Sequence, residues 1–221
     1  MKIATWNAER LRHFRDLQQI RQMLDTIDAD ILVLTESDIR IDLAERYKYN
    51  ASTLKLGNIR LLRYAGTERR VTVYSKFEIV NEFETFDPYT SCCVEVKSDI
   101  GNLIVYGTII GIYGNREKSF RQDLAAQTKD FRKLSQFGSL CIAGDFNMSF
   151  SDKYYFTNEG RDTMMEVFEE TGMVNCTAGL PEAVDHIAIS SNFLKSINYR
   201  IQEFNTDKKL SDHKGVCIAL K

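Results

Sequence analysis

The sequence predicts an α/β fold of the α+β kind, with two β-sheets packed face to face and helices outside them. Three observations carry this. Short β-rich runs are numerous, while only three stretches show a helical stripe. Between residues 59 and 110 the β-rich runs follow one another with no helical pattern between them, which suits antiparallel pairing. Helices enter only at intervals, which disfavours one parallel sheet in regular β–α alternation.

Taken in order, residues 2–6 form a first strand, and residues 14–27 place Phe14, Leu17, Ile20, Leu24 and Ile27 at helical spacing. Residues 30–35, 59–64, 70–75, 92–98 and 102–110 are rich in β-branched and aromatic residues and read as strands. Phe120, Leu124, Phe131 and Leu134 give 117–135 the face of a second helix. A strand at 139–143 precedes a third helix at 162–171, where Met164, Met165, Val167 and Phe168 come before Gly172, a stop signal. Strands at 184–190 and 215–220 complete the set. The helical stripes read as core faces.

With 221 residues, two prolines, no repeat and no low-complexity linker, the chain is read as a single domain over 1–221. Its apolar runs, such as ILVLT and IVYGTII, fall far short of the roughly 20 residues that span a bilayer. No secretory signal is visible, so a cytoplasmic protein is expected. The five cysteines show no C-x-x-C spacing and read as free, buried thiols. A net charge of -2 argues against wrapping nucleic acid through a broadly basic surface, while leaving room for a local basic patch.

The stretch CIAGDFNMSF, residues 141–150, ends an apolar run with Asp145 and Asn147 two residues apart, on one face of an extended chain. Other strand-like runs carry polar groups at their margins: Asn7 after KIATW, Glu36 after ILVLT, Asp185 in VDHIAIS, and Asp212 and His213 ahead of the last strand. Magnesium takes oxygen ligands and keeps several waters, so Glu36 and Asn7 suit it. Phosphoester hydrolysis needs a group to orient or deprotonate water and a cation or donor facing the phosphate, tasks open to Asp145 and His213. A carboxylate such as Asp185 would fix the histidine's tautomer and favour its charge. Each residue also has an ordinary reading: Asn7 in a turn, Glu36 at a helix start, Asp212 with Ser211 in a cap or turn, His213 at the surface. Periodicity alone does not bring them together.

The ordered set TWN, LTE, GDFN, VDHIAIS and SDHKGV resembles the endonuclease/exonuclease/phosphatase superfamily, which includes pancreatic-type deoxyribonucleases, abasic-site endonucleases, inositol-polyphosphate phosphatases and sphingomyelinases. The resemblance spans residues 5–216 and rests on the set, each motif being weak alone. It implies a four-layer α/β sandwich, two packed mixed β-sheets flanked by helices, with the site at one sheet edge. It also implies Glu36 and Asn7 at a magnesium ion, for which manganese would substitute, with Asp212 beside it. Asp145 would activate the attacking water, Asn147 would hold the phosphate or that carboxylate, and His213 would contact the phosphate with Asp185 behind it. One departure stands out: where the family usually carries histidine or tyrosine after the central strand, this chain has Ile109. Tyr113, Arg116 or Arg121 is the expected substitute donor.

The implied activity is a magnesium-dependent phosphoester hydrolase, a nuclease or related phosphodiesterase. The alternatives are a phosphomonoesterase on a small phosphorylated molecule and a non-catalytic binding module. The partner is then a phosphoester substrate, nucleic acid among the candidates, with no protein partner inferable. Arg10, with Arg12 and Arg15, follows Asn7 and is a candidate for the substrate. Arg69–Arg70 and Lys208–Lys209 are either solvated surface or anion contacts, and Tyr154, Tyr155 and Phe156 either stack on bases or pack in the core.

Overall fold

The computed structural model describes residues 1–57, 63–195 and 197–221. In chain order the elements are β1 (Lys2–Asn7), α1 (Leu17–Ile27), β2 (Ile31–Asp38), β3 (Tyr49–Ser52), β4 (Glu68–Ser75), β5 (Glu78–Phe83), β6 (Ser91–Ser98) and β7 (Gly101–Ile109). There follow α2 (Lys118–Leu134), β8 (Leu140–Asp145), α3 (Asn158–Glu170), β9 (Met173–Asn175), β10 (Asp185–Ser190), α4 (Ser191–Leu194), β11 (Tyr199–Phe204) and β12 (Gly215–Leu220). Short 3-10 turns at Glu9–Leu11, Phe14–Asp16 and Ile39–Ile41 join the early elements.

Among the described residues the strands form two six-stranded sheets, ordered β11-β12-β1-β2-β4-β3 and β5-β6-β7-β8-β10-β9. Both are mixed: β1 runs parallel to β2 and β7 parallel to β8, and the other pairs are antiparallel. The central strands are apolar on both faces because each sheet is covered on both. Ile3, Ile31, Val33, Val71 and Val73 of the first sheet pack against Val94, Val105, Ala143, Ile187 and Ile189 of the second. Outside the first sheet, α1 sets Ile20, Leu24 and Ile27 on Ala4, Leu32 and Leu34. Outside the second, Phe120, Leu124, Phe131, Met164 and Val167 of α2 and α3 cover Ile104, Tyr106 and Ile142. Each such side chain, fully buried, stabilises the fold by about 1.5–3 kcal/mol. The result is a four-layer sandwich, helix–sheet–sheet–helix.

The pattern-based expectation differs in several places. Residues 59–62 lie outside the described residues, and Arg63 and Tyr64 are not in a strand. The 70–75 and 92–98 strands do not pair with each other. β4 pairs with β2 and β3 in the first sheet, and β6 with β5 and β7 in the second, because the chain changes sheet after β4. Four strands have too little apolar alternation to be read from sequence: β3 (YNAS), β5 (EIVNEF), β9 (MVN) and β11 (YRIQEF) are short or lie at or near sheet edges. The first helix begins at Leu17, leaving Phe14 49% exposed under the Arg40 guanidinium. The third begins at Asn158, where the Thr157 hydroxyl accepts the Gly160 N–H at 3.3 Å, and Met165 points outward. All five cysteines are free, and Cys92 is only half-buried. No helix among the described residues is long and apolar enough to cross a membrane.

Candidate active site

Strand ends from both sheets meet at one edge of the sandwich. β1 and β2 run parallel with Asn7 beside Thr35, so Asn7 and Glu36 leave the first sheet together. β8 ends at Asp145, and the antiparallel β10 begins opposite it at Asp185. β12 runs against β1 with Val216 opposite Thr5, which brings the preceding loop, carrying Asp212 and His213, over the end of β1. At Gly144 φ is +144°, and a Cβ would stand 2.0 Å from the Thr108 carbonyl oxygen of β7, so the residue before Asp145 has to be glycine.

These ends are tied into one network. Asn7 Nδ2 and Asn147 Nδ2 donate to Asp145 Oδ2 at 3.1 and 3.3 Å, and the Asn147 backbone N–H donates to Oδ1 at 2.9 Å. Asn147 has φ 51°, a left-handed conformation that asparagine tolerates. Its amide also donates to the Gly111 carbonyl at 3.1 Å, while Asn115 Nδ2 donates to its carbonyl at 2.9 Å. Asp185 Oδ2 lies 2.6 Å from His213 Nδ1. The His213 carbonyl accepts from Trp6 Nε1 at 3.2 Å and from Asn205 Nδ2 at 2.7 Å. Its N–H donates to Ser211 Oγ at 3.1 Å, and that hydroxyl donates to the Asn7 carbonyl at 2.7 Å.

Backbone strain gathers at the same edge. Glu36 has φ 42°, and Glu9, Arg10 and Leu11 have φ 48°, 56° and 54°. Left-handed conformation costs an ordinary residue about 1–2 kcal/mol and persists only where the surroundings over-determine it. In β2 the pairs Thr35–Val71 and Ser37–Arg69 hold their register while Glu36, between them, turns out of the ladder. Its carboxylate faces a cleft of about 210 Å³ with Arg10, Tyr64, Arg70 and Tyr113. A second cleft of about 220 Å³ lies on the His213 side, lined by Asn147, Tyr154, Tyr155, Glu182, Lys208 and Lys214 among others.

Electrostatics distinguishes the groups. Burial lifts the Asp145 carboxyl to about 7, with Asp185 and Glu36 adding to the rise and His213 opposing it. Burial works against the charge of His213, but Asp185 and Asp145 outweigh it and raise the imidazole to about 10, so it is a cation at neutral pH. Burial also raises Glu36, against the pull of His213, Arg70 and Arg10. One oxygen of Asp185, Oδ1, is buried with no hydrogen-bond partner.

The donor set fits a hard dication. Among the described residues Glu36 makes no side-chain hydrogen bond, and Asn7 Oδ1, which accepts the Glu9 N–H at 2.8 Å, keeps a second lone pair. Magnesium needs only one or two carboxylates because it keeps its waters. Among the described residues no three His, Cys, Asp or Glu side chains converge as an all-protein cage would require.

Asn7, Glu36, Asp145, Asn147, Asp185, Asp212 and His213 are thus all at one edge, Asp212 being largely exposed with Oδ1 3.8 Å from His213 Nε2. Arg10 and Tyr113 line the Glu36 cleft. Arg116 and Arg121 are not brought to either cleft. The inward face of α2 carries Phe120 and Leu124, so Arg121 points out and pairs with Glu159 at 2.6 Å; Arg116 stands exposed in the preceding loop. Ile109 lies beside Asp145 on the same face, but its side chain is buried in the inter-sheet core. Tyr154 and Tyr155 line the His213 cleft, where Lys208 Nζ donates to Tyr154 Oη at 2.8 Å, while Phe156 lies under Arg161. Sequence reasoning missed Tyr64, Glu68, Glu182 and Lys214, which stand in no strand-end motif. The consecutive left-handed residues after Asn7 left no signal either, since none is glycine.

The profile described as the Endonuclease/Exonuclease/phosphatase family matches residues 4–213. Among solved structures, the chain is similar to a 3'-5' exonuclease from Neisseria meningitidis, with 17% identity, TM-score 0.73 and all of both chains covered. It is likewise similar to a 3' phosphatase from Neisseria bound to a product DNA hairpin, with 16% identity, TM-score 0.73 and 100% and 99% of the chains covered. An AP endonuclease from Archaeoglobus fulgidus shares 13% identity at TM-score 0.71, again over 100% and 99%. Among curated proteins none matches.

Proposed function

The chain belongs to the endonuclease/exonuclease/phosphatase family of phosphoester hydrolases, and from that premise we propose that it is a magnesium-dependent phosphodiesterase of the nuclease class, cleaving by water attack on phosphorus. The observation that carries the reading is the continuous network from Asn7 through Asp145 and Asn147, with the Asp185–His213 pair beside it.

Asp145, lifted to about 7, is near the operating pH and suited to take a proton from the attacking water. The Asn7 and Asn147 amides hold its oxygens in place, so it does not rotate away as it gains the proton. Asp185 engages His213 Nδ1, which leaves Nε2–H to face a phosphate oxygen as its charge develops. Glu36 and Asn7 Oδ1 would hold the magnesium ion, which when bound would neutralise charge on the phosphate. Tyr113, which lines the Glu36 cleft, is the donor assigned to the place left by Ile109.

A second reading, a phosphomonoesterase on a small phosphorylated molecule, draws support from the modest volumes of the two clefts, about 220 and 210 Å³. A binding module without catalysis fits poorly with an intact network. The test is a hydrolysis panel with magnesium: single- and double-stranded DNA, RNA, an abasic duplex, inositol phosphates and a chromogenic phosphodiester, with Asp145→Asn as control. Cleavage of a diester that drops on the order of a thousandfold in the control is expected. No cleavage of any member, or an equally active control, would overturn the reading.

A further inference from the structure

Arg70 is a buried cation that, among the described residues, makes no ion pair, although it pulls on the Glu36 and Asp123 carboxylates from farther away. Its sequence neighbourhood, ERRVTV, suits a solvated pair, yet in β4 Arg69 is half-buried and Arg70 is only 4% exposed. One guanidinium nitrogen donates to Tyr64 Oη at 2.5 Å, and the group lies 5.1 Å from the centre of that ring. Its cationic neighbours Arg10 and Arg12 in the cleft differ from it in making ion pairs, while Arg69, among the described residues, donates only to the Gly66 and Glu68 carbonyls. Arg10 pairs with Glu68 at 2.6 Å, and Arg12 with Glu9 at 2.9 Å. Glu36, which turns out of the ladder between the Thr35–Val71 and Ser37–Arg69 pairs, is the residue assigned to the dication.

A buried charge is retained against its desolvation only when something pairs with it. Arg70 lines the 210 Å³ cleft together with Arg10, Tyr113 and the strained Glu36. Guanidinium offers a planar fork that matches phosphate oxygens two at a time. Arg10 stacks on the other part of the same cluster, 4.5 Å from the Tyr64 ring centre, so the tyrosine holds both guanidinium planes in place.

We propose that the Arg70 cleft binds a second phosphate group of the substrate, next to the one attacked at Asp145 and His213. This rests on the phosphoester-hydrolase reading and narrows it to substrates with two neighbouring phosphates. That chemistry is met by a nucleic-acid strand and by a small molecule phosphorylated twice.

Two measurements test it. In the first, inorganic phosphate and pyrophosphate are titrated calorimetrically into the full chain with chelator present, for the wild type, Arg70→Gln, Arg70→Lys and His213→Ala. Loss of the charged fork is expected to weaken binding by about ten- to a hundredfold in Arg70→Gln, with Arg70→Lys between, and the Arg70-dependent part surviving in His213→Ala. In the second, kcat/KM is compared for a dinucleotide carrying a 5' phosphate, the same dinucleotide without it, inositol 4,5-bisphosphate and bis(p-nitrophenyl) phosphate. The ratio of two-phosphate to one-phosphate substrate is expected to exceed one and to fall by about ten- to a hundredfold in Arg70→Gln. Preference for the dinucleotide or the inositol compound identifies the source of the second phosphate. If nothing is hydrolysed, the hydrolase reading fails and the titration alone decides this proposal. If diesters are cut but the ratio and the phosphate affinity do not respond to Arg70, the proposal fails and the hydrolase reading stands. Thermal melts of Arg70→Met separate a packing role: a lower melting temperature with phosphate affinity intact would overturn the proposal, and a melt at or above wild type with affinity lost would support it.

Discussion

Asp185 and His213 form a pair whose two halves act on the same charge, and their variants should behave alike. Removing the imidazole in His213→Ala, or its buried partner charge in Asp185→Asn, strips stabilisation that matters most as negative charge builds on the phosphate. Both are expected to lower kcat by about a hundredfold or more while moving KM little, read from steady-state kinetics on a diester. A rise in KM with kcat intact would contradict the assignment. Glu36→Gln exchanges a carboxylate for an amide, a poorer ligand for a hard dication, and is expected to raise the magnesium concentration for half-maximal rate, read from a metal titration. The positions of these residues stood out in the sequence because each is a polar group at the margin of an apolar run. Arg70 was not legible. Its burial depends on the parity of β4, and a run such as ERRVTV gives no sign of which arginine faces inward. Nor does LTESD reveal that Glu36 leaves its ladder with φ 42°.

β8 and β10 carry the proposed catalytic carboxylates, Asp145 and Asp185, to the edge, so their packing is the frame of the candidate site. Gly144→Ala would drive a Cβ into the Thr108 carbonyl of β7. A destabilisation on the order of 4 kcal/mol is expected, read from urea unfolding, or loss of soluble protein where the fold does not tolerate it. His186, next to Asp185, points the opposite way into the second core. Burial lowers its imidazole to about 4, although the Met148 and Ala183 carbonyls accept from it. Its folded value lies below the unfolded one near 6.5, so the unfolded chain takes up the proton first. The stability held by neutral His186 is therefore full above about pH 6.5 and is lost as pH falls toward 4, by about 3 kcal/mol in all. His186→Gln should flatten that acid limb in denaturant unfolding followed across pH; an unchanged slope would contradict it. The helices and the long central strands were legible from periodicity, within a few residues at their ends. Pairing was not, because nothing local in 70–75 records that its partners are β2 and β3 and not the next strand along.

At the scale of the whole molecule, the order of the strand-end motifs carried more than any one of them, and the four-layer sandwich they implied is the fold found. Charge sets a further expectation. With a net charge of -2, the chain would meet an anionic polymer through a local patch and not a basic face. For a single strand held by about three phosphate contacts, log K should fall with log salt at a slope of about -2, measured by anisotropy with labelled oligonucleotide and the Asp145→Asn chain. A slope steeper than about -6 would point to a much larger basic footprint. The pairing of β1 with β12 has one more consequence. Trp6 and His213 touch across 207 positions of sequence, and the first strand lies between β2 and the last. Translation runs from Asn7 toward His213, so the earliest strand waits with one edge open until the latest arrives. The edge at which Asn7 and His213 meet is therefore expected to form only after β12 has been made, and a chain cut before Gly215 should show no diesterase activity.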